Sequence, residues 1–152
     1  MILYRISNHS DLSGLGGELA DGRWHTREKG RRVVYTSDHP ALCILEILVH
    51  VKIEDLPDDY QLLRIEVPDV HIVPVEDKFT LPDDWAVRMD STQLAGDDWL
   101  TSELTAGMSV PSVLAPIARN CLLNPKVAAV AALKAEIIGR FPFDQRLAKR
   151  HA

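Results

Sequence analysis

The residues best suited to chemistry in this chain are a carboxylate and a histidine inside an otherwise apolar segment. Between residues 41 and 51 only Glu46 and His50 are polar, and they lie four positions apart. In a helix this spacing places both side chains on one stripe. A lone buried carboxylate is costly unless it is paired, hydrogen-bonded or protonated. Glu46 is therefore either a structural carboxylate satisfied by an arginine or a site carboxylate held on a rigid element.

A second candidate group follows a glycine-rich loop. Residues 11–22 contain four glycines among small polar residues, a composition typical of a loop with unusual backbone conformations. Arg23 comes directly after this loop, and its planar guanidinium either clamps a phosphate or carboxylate or is simply solvated. Tyr35 is either a strand core aromatic or a site residue, and His50 is either a satisfied core histidine or a site residue. Residue type alone leaves these alternatives open.

Most standard catalytic signatures are absent from the sequence. It contains no Walker-type phosphate loop, no Gly-x-Gly-x-x-Gly opening a helix, no His-Glu-x-x-His, no Cys-x-x-Cys and no Gly-x-Ser-x-Gly. Cys43 and Cys121 both lie in apolar runs, which predicts small buried thiols and not a disulfide or metal ligands. We therefore expect no metal cofactor.

Composition and charge limit the class of protein. A chain of 152 residues with 46% hydrophobic and 26% charged content predicts one globular domain over residues 1–152. The net charge of −5 does not fit the broad basic surface of a nucleic-acid binder. The longest apolar run, residues 127–133, is far shorter than a bilayer span, and the start of the chain lacks a signal-peptide pattern. We expect a cytoplasmic protein that contacts neither membrane nor nucleic acid. Residues 149–151 form a short basic segment, Lys149-Arg150-His151.

The hydrophobic pattern predicts the elements that must position these groups. A helix-start signal at residues 37–40, with Ser37 or Asp38 as the cap, opens a helix that is predicted to be buried nearly all round. Residues 76–108 are predicted to be mostly loop, anchored by Trp85 and Trp99, and residues 126–137 a helical turn followed by a strand. Further strands are predicted at residues 2–6, 31–36, 60–67, 70–75 (an edge strand) and 108–114.

About ten short motifs run in a fixed order from residue 3 to residue 147. They are Leu3-Tyr4-Arg5, Ser13-Gly14, Gly22-Arg23-Trp24, Val34-Tyr35-Thr36-Ser37, Leu45-Glu46-Ile47-Leu48-Val49-His50, Gly96-Asp97-x-Trp99-Leu100, Val110-Pro111-Ser112, Asn120, Leu123-Asn124-Pro125 and Phe143-Asp144-x-Arg146-Leu147. No single motif is specific. As an ordered set covering nearly the whole chain, they resemble the RES domain family.

The resemblance implies both a fold and a function. The implied fold is α+β and similar to ADP-ribosyltransferases, with a mostly antiparallel split sheet around an NAD cleft and flanking helices. The implied function is that of a toxin in a bacterial toxin-antitoxin system, restrained by an Xre-like helix-turn-helix antitoxin. Activities in the family include NAD hydrolysis, phosphorolysis to ADP-ribose 1-phosphate and ADP-ribosylation of a protein, and the resemblance does not choose among them. A non-enzymatic module that binds its antitoxin or a nucleotide is the alternative from another class.

The resemblance also implies which residues form the site. The arginine, glutamate and serine that name the family fall on Arg23, Glu46 and Ser112, which are thereby implied to be catalytic. NAD is the implied substrate, with Arg23 on its pyrophosphate. The remaining implied binding residues are Tyr35, His50 and Asn120.

The chemistry fits a single carboxylate. Cleavage of the nicotinamide to ribose bond develops positive charge on the sugar, which a fixed carboxylate stabilises. Nicotinamide leaves as a neutral group, so no acid is needed to protonate it. One departure from the family stands beside the arginine, where the common Gly-Gly-Arg-Trp-Asn is Asp21-Gly22-Arg23-Trp24-His25. The segment of residues 25–32 is also longer and more charged than usual, which affects the shape of this loop.

Overall fold

The computed structural model describes residues 1–148, so the basic segment Lys149-Arg150-His151 lies outside the described residues. The strands are β1 (Ile2–Ser7), β2 (Val34–Ser37), β3 (Gln61–Glu66), β4 (Ile72–Pro74), β5 (Gly107–Pro111), β6 (Arg119–Leu123) and β7 (Ala135–Arg140). The α-helices are α1 (Gly16–Leu19), α2 (Pro40–Leu48), α3 (Met89–Ser102) and α4 (Ala128–Ala131). Short 3-10 helices lie at Ile53–Asp55, Asp69–His71, Val75–Asp77 and Gln145–Ala148.

The strands form a seven-stranded sheet in the order β4-β5-β6-β2-β1-β3-β7, antiparallel except for the β4 and β5 pair. Strands β1 and β2 pair at a single register position, Tyr4 with Ser37, whereas β1 and β3 pair over six positions. The sheet is therefore divided between β1 and β2 into two halves that join at one point. This arrangement confirms the predicted α+β class with a mostly antiparallel, split sheet.

The core packs against both halves of the sheet. One cluster includes Leu3, Val34, Ile65 and Leu123, all at most 1% exposed, on four different strands. A second cluster sits under α3 and includes Trp24 and Trp99. Alternate residues of each strand supply these side chains, because successive side chains of a strand point to opposite faces.

Helix α2 begins where the sequence predicts, but with a different cap. His39 has extended backbone angles, its Nδ1 accepts a hydrogen bond from the Ala41 amide at 3.1 Å, and Pro40 occupies the first helical position. The prediction of Ser37 or Asp38 as the cap is wrong, because both side chains form hydrogen bonds with residues of β6. The Ser37 hydroxyl donates to Asn120, and the Asp38 carboxylate accepts from the Arg119 amide.

The prediction that α2 is buried nearly all round is also wrong. Only Leu42 and Cys43 are fully buried, whereas Leu45 and Val49 are 47% and 54% exposed. The helix lies on one side of the sheet, so its outer apolar stripe has no strand to cover it within the described residues. The two cysteines are free and buried as predicted, and burial raises the pKa of the Cys43 thiol to about 11.

The prediction of a loop over residues 76–108 is wrong in its second half, where α3 forms. Its buried residues are Thr92, Ala95, Gly96, Trp99 and Leu100, a helical spacing built mostly from small or weakly apolar side chains. Gly96 allows close packing, since a Cβ there would lie 1.6 Å from the carbonyl oxygen of Trp24. The predicted anchors both pack as expected, with Trp99 4% exposed and Trp85 against the same cluster.

The remaining elements agree unevenly with the sequence pattern. The helical turn and strand predicted for residues 126–137 are confirmed as α4 and β7, and the predicted edge strand is confirmed as β4. Strand β6 was not predicted. Among the described residues, none of the helices has the length and apolar character required to cross a membrane.

Candidate functional site

A cavity of about 570 Å³ opens at the division of the sheet, within the size range of small-molecule sites. Its lining combines β1, β2, α2 and the segment that follows the glycine-rich loop. Five of the six residues singled out from the sequence line this cavity: Arg23, Tyr35, Glu46, His50 and Asn120. Glu46 and Asn120, which are 74 positions apart in the chain, thus meet at one site.

Glu46 is held by one oxygen and open at the other. Its Oε1 accepts hydrogen bonds from the Ser112 hydroxyl at 2.9 Å and from the Asn120 amide at 2.7 Å. Within residues 1–148 no arginine or lysine pairs with Glu46, and no hydrogen bond reaches its Oε2. The arginine-satisfied alternative is therefore not what the structure shows. The carboxylate is oriented by neutral donors and keeps one oxygen for a ligand in the cavity.

Ser112 lies behind Glu46 and outside the cavity lining. It is 1% exposed, and its hydroxyl accepts from the amides of Leu114 and Ala115 while donating to Glu46. These contacts fix the hydroxyl within a turn at the end of β5. The Ser112 hydroxyl thereby holds the Glu46 carboxylate from behind the cavity lining.

Asn120 connects Glu46 to the sheet. The Ser37 hydroxyl donates to Asn120 Oδ1 at 2.7 Å, which leaves the Nδ2 group to donate to Glu46. Asn120 and Ser37 are register partners on β6 and β2, so the chain of donors begins on a paired position of the sheet. The carboxylate on α2 is thereby fixed relative to the strands.

Arg23 enters the cavity from a segment that α3 holds in place. The backbone oxygen of Arg23 accepts from Thr92 at 2.6 Å, and that of Gly22 accepts from Gln93 at 2.9 Å. The guanidinium donates through Nη1 to the carbonyl of Ala86 at 3.1 Å. No acidic side chain pairs with Arg23 among the described residues, so its charge is available to an anion in the cavity.

The charged segment after Arg23 is tied to α3 by a compact polar network. The Thr26 hydroxyl donates to Asp97 at 2.6 Å, and the Thr26 amide donates to the same carboxylate at 2.9 Å. Arg31 donates to the Thr26 carbonyl at 2.8 Å and lies 3.3 Å from Asp97. Thr26 and Arg31 therefore tie residues 25–32 to α3, whereas His25, at the start of the segment, lines the cavity.

Tyr35 has a ring at the cavity and a hydroxyl that is already engaged. The hydroxyl oxygen accepts from the Trp24 amide at 3.1 Å and lies 2.8 Å from Nδ1 of His25. Burial raises the pKa of Tyr35, so the phenol stays protonated. His50 is exposed at the cavity rim, which excludes the satisfied core histidine considered from the sequence.

Arg5 is a site residue that the sequence reasoning did not single out. It lines the same cavity, and its Nη1 donates to the Tyr35 carbonyl at 3.0 Å across the division of the sheet. Its buried Nε has no hydrogen-bond partner, and burial lowers the pKa of the guanidinium. An arginine in the apolar strand at residues 2–6 was the available signal, because a buried cation needs an acceptor. Arg5 adds a second cation to the cavity.

These groups define a carboxylate site with two cations and an aromatic wall. A ligand that suits it carries anionic groups for the arginines, a hydroxyl donor for Glu46 and a ring for Tyr35. No cluster of three or more potential metal ligands occurs in the part of the chain that the structure describes. The expected independence from metal remains a prediction.

Comparison with known families identifies the family of this chain. Residues 2–144 match the RES domain family, so the match covers almost the whole sequence. The chain belongs to the RES domain family.

Curated relatives carry toxin names. A protein named "Toxin Res" from Pseudomonas putida is 38% identical over 149 residues, covering 97% of this chain and 99% of that protein. Another "Toxin Res", from Photorhabdus laumondii, is 39% identical over 131 residues, with 82% of each chain covered. A "Prs ADP-ribosylating toxin" from a Sphingobium species is 33% identical over 152 residues, with 96% and 92% covered. The chain is thus similar over 82% to 97% of its length to proteins that are named as toxins.

Proposed function

We propose that this protein is a toxin that consumes NAD by cleaving the bond between nicotinamide and ribose. The observation that carries the proposal is the state of Glu46, fixed through Oε1 by Ser112 and Asn120 and open at Oε2 in a cavity that also holds Arg23. The toxin names of the relatives and the ADP-ribosylating activity named for one of them support the same conclusion.

The open oxygen of Glu46 matches the charge that this reaction creates. The bond between the ribose carbon and the nicotinamide nitrogen breaks, and its electron pair leaves with neutral nicotinamide. Positive charge develops on the sugar, and Glu46 stabilises it while accepting a hydrogen bond from a ribose hydroxyl. An oxygen of the acceptor then bonds to the ribose carbon and loses its proton. No acid or metal is required at the leaving group.

The other cavity residues bind the dinucleotide. Arg23 offers the pyrophosphate charge-assisted hydrogen bonds, and Arg5 adds a second cation on the opposite side of the sheet division. Tyr35 packs its ring against the nicotinamide or ribose, since its hydroxyl is engaged elsewhere. His50 and Asn120 complete the polar lining.

Transfer of ADP-ribose to a protein is the second candidate. It is favoured by the name of the Sphingobium relative and is chemically the same bond cleavage with a different acceptor. A module that only binds a partner or nucleotide is disfavoured, because Glu46 is supported by two donors yet left open to the cavity.

Adding NAD labelled on its adenylate half to a cell lysate containing the protein separates these functions. We expect the label to move into ADP-ribose or ADP-ribose 1-phosphate, and to do so equally after exhaustive chelation. Label that accumulates on protein assigns the transferase activity. Unchanged NAD rejects an enzyme altogether, and activity restored by a divalent ion rejects the metal-free mechanism.

The Arg23→Lys substitution is expected to weaken NAD binding about tenfold, because lysine keeps the charge but loses the planar pair of donors. Calorimetry is best done in the Glu46→Gln background, so that NAD is not consumed during the titration. Arg27→Lys is the matched control, since Arg27 is exposed and outside the cavity. Equal affinities for the two lysine variants would place the pyrophosphate elsewhere.

The proposed partner is an Xre-like helix-turn-helix antitoxin that covers the cavity. A basic DNA-binding part would complement the net charge of −5, which itself disfavours direct binding of nucleic acid by this chain. Expression of the chain alone is expected to halt growth and lower cellular NAD. Co-expression of the neighbouring small gene is expected to restore both, and a folded, abundant and harmless chain would contradict the toxin function.

A further inference from the structure

His25 is a buried residue of the cavity lining, and both of its ring nitrogens are engaged. It is 3% exposed, although it stands directly after Trp24 in a segment rich in charge. Its Nδ1 lies 2.8 Å from the Tyr35 hydroxyl oxygen, and its Nε2 lies 3.0 Å from the carbonyl oxygen of Ala20 and 3.2 Å from that of Gly17. Because both ring nitrogens of His25 have hydrogen-bond partners, the partners indicate which nitrogen carries the proton.

The partners fix one tautomer. Carbonyl oxygens only accept hydrogen bonds, so Nε2 of His25 carries the proton and donates to Gly17 and Ala20. In the neutral ring Nδ1 is then an acceptor. The Tyr35 hydroxyl must therefore donate to His25, while its oxygen accepts from the Trp24 amide. Both the proton and a lone pair of this phenol are committed inside the protein.

The contact between His25 and Tyr35 is closely packed against the backbone of Gly22. A Cβ at Gly22 would lie 2.4 Å from the Tyr35 hydroxyl oxygen and 2.7 Å from Nδ1 of His25, so the backbone of Gly22 closes directly over the pair. Gly22 and His25 also form a β-bridge. His25 lines the cavity together with Gly22, Arg23 and Tyr35, so the position of its ring affects the shape of the cavity.

We propose that His25 is a positioning residue, which fixes the Tyr35 ring for the substrate by accepting the Tyr35 hydroxyl proton. This inference rests on the proposed function, because it takes NAD as the molecule that meets the ring. Both ring nitrogens of His25 are engaged within the protein, so His25 acts on the substrate through Tyr35. Tyr35 consequently recognises its ligand by its aromatic face and not by its hydroxyl.

Two substitutions separate the two ring nitrogens. Asparagine places its amide near the position of Nδ1, so His25→Asn keeps an acceptor for Tyr35 and loses the reach to the carbonyls. Glutamine extends to the position of Nε2, so His25→Gln keeps a donor for Gly17 and Ala20 and loses the acceptor for Tyr35. Tyr35→Phe removes the hydroxyl itself.

Steady-state kinetics of nicotinamide release test the proposal. We expect His25→Gln and Tyr35→Phe each to raise KM for NAD about five- to tenfold, the effect of one lost hydrogen bond, with kcat within about twofold. The double variant should be no worse than either single one, and His25→Asn should stay within about twofold of the parent in KM. Additive effects, or a His25→Asn variant as impaired as His25→Gln, would overturn the proposal.

Nitrogen-15 spectra of the ligand-free protein provide a readout that needs no activity. The His25 signals, identified by their loss in His25→Asn, should show a protonated Nε2 and an unprotonated Nδ1 that shifts in Tyr35→Phe. The opposite tautomer, or an Nδ1 signal indifferent to Tyr35→Phe, would overturn the proposal. A parent protein that shows this signature but releases no nicotinamide would instead refute the proposed function.

Discussion

The Glu46→Gln variant is expected to cleave NAD about 100-fold more slowly than the parent, or worse, while remaining folded. The amide oxygen of glutamine can still accept from Ser112 and Asn120, as Oε1 of Glu46 does. The change is therefore confined to the outer atom, where a neutral amino group replaces the open oxygen. Loss of this charge removes the stabilisation of the positive sugar without disturbing the donors that hold the side chain. Initial rates of nicotinamide release at saturating NAD measure the effect.

Glu54→Gln is the matched control for this variant. Glu54 is exposed in the 3-10 helix Ile53–Asp55 and lies outside the cavity, so its neutralisation changes the net charge equally. We expect the control to retain the parent rate. A folded Glu46→Gln variant with near-parent turnover would contradict the assignment of Glu46 as the stabilising carboxylate.

The Asn120→Asp variant is expected to lose about 100-fold in rate, although it alters only one atom of the side chain. The Ser37 hydroxyl can still donate to the new carboxylate, as it does to Oδ1 of Asn120. The donor to Glu46 at 2.7 Å is replaced by a second carboxylate oxygen. Two carboxyl groups in such contact share a proton, which removes negative charge from Glu46 when it is needed. The same nicotinamide assay measures the loss.

Asn120→Ala separates charge from contact. This variant loses both hydrogen bonds of Asn120 but brings no charge beside Glu46, and we expect a loss of only about tenfold. Asn120→Asp should therefore be the more damaging change, although it removes fewer contacts. The reverse order would show that Asn120 serves the fold and not the charge of the site.

Local pattern was enough to predict the element that carries the carboxylate. The polar positions in an apolar segment led to Glu46 and His50, and both line the cavity. The same pattern misjudged how much of α2 is covered. Leu45 and Val49 are apolar but exposed, and nothing in the local spacing states on which side a helix meets its sheet. Tertiary packing decides which residues of a helix are buried, and the spacing of apolar residues along the helix does not show this.

Helix α3 was missed because its buried face lacks large apolar residues. Gly96 meets the backbone of Trp24, where a side chain would not fit, and the Thr92 hydroxyl donates to the backbone oxygen of Arg23. The helical spacing of Thr92 and Gly96 with Trp99 was present in the sequence. A search for large apolar residues therefore does not detect this helix, because its interface depends on small residues that allow the backbones to come close.

The division of the sheet depends on contacts between distant parts of the chain. Strand β6 forms against β2 and β5, and its Asn120 reaches Glu46 from 74 positions away. Arg5 reaches Tyr35 across the same division. An arginine in an apolar strand indicates that Arg5 needs an acceptor, but the local sequence identifies neither Tyr35 as the partner of Arg5 nor Glu46 as the partner of Asn120. The family resemblance indicated Asn120, and the structure explains its place through the donor chain from Ser37.

The most direct test of NAD cleavage at Glu46 is nicotinamide release from NAD by the purified protein, followed by chromatography. We expect stoichiometric formation of nicotinamide by the parent protein, at least about 100-fold faster than by the Glu46→Gln variant. Absence of nicotinamide from a folded parent protein that binds NAD, or equal release by the parent and by Glu46→Gln, would contradict it.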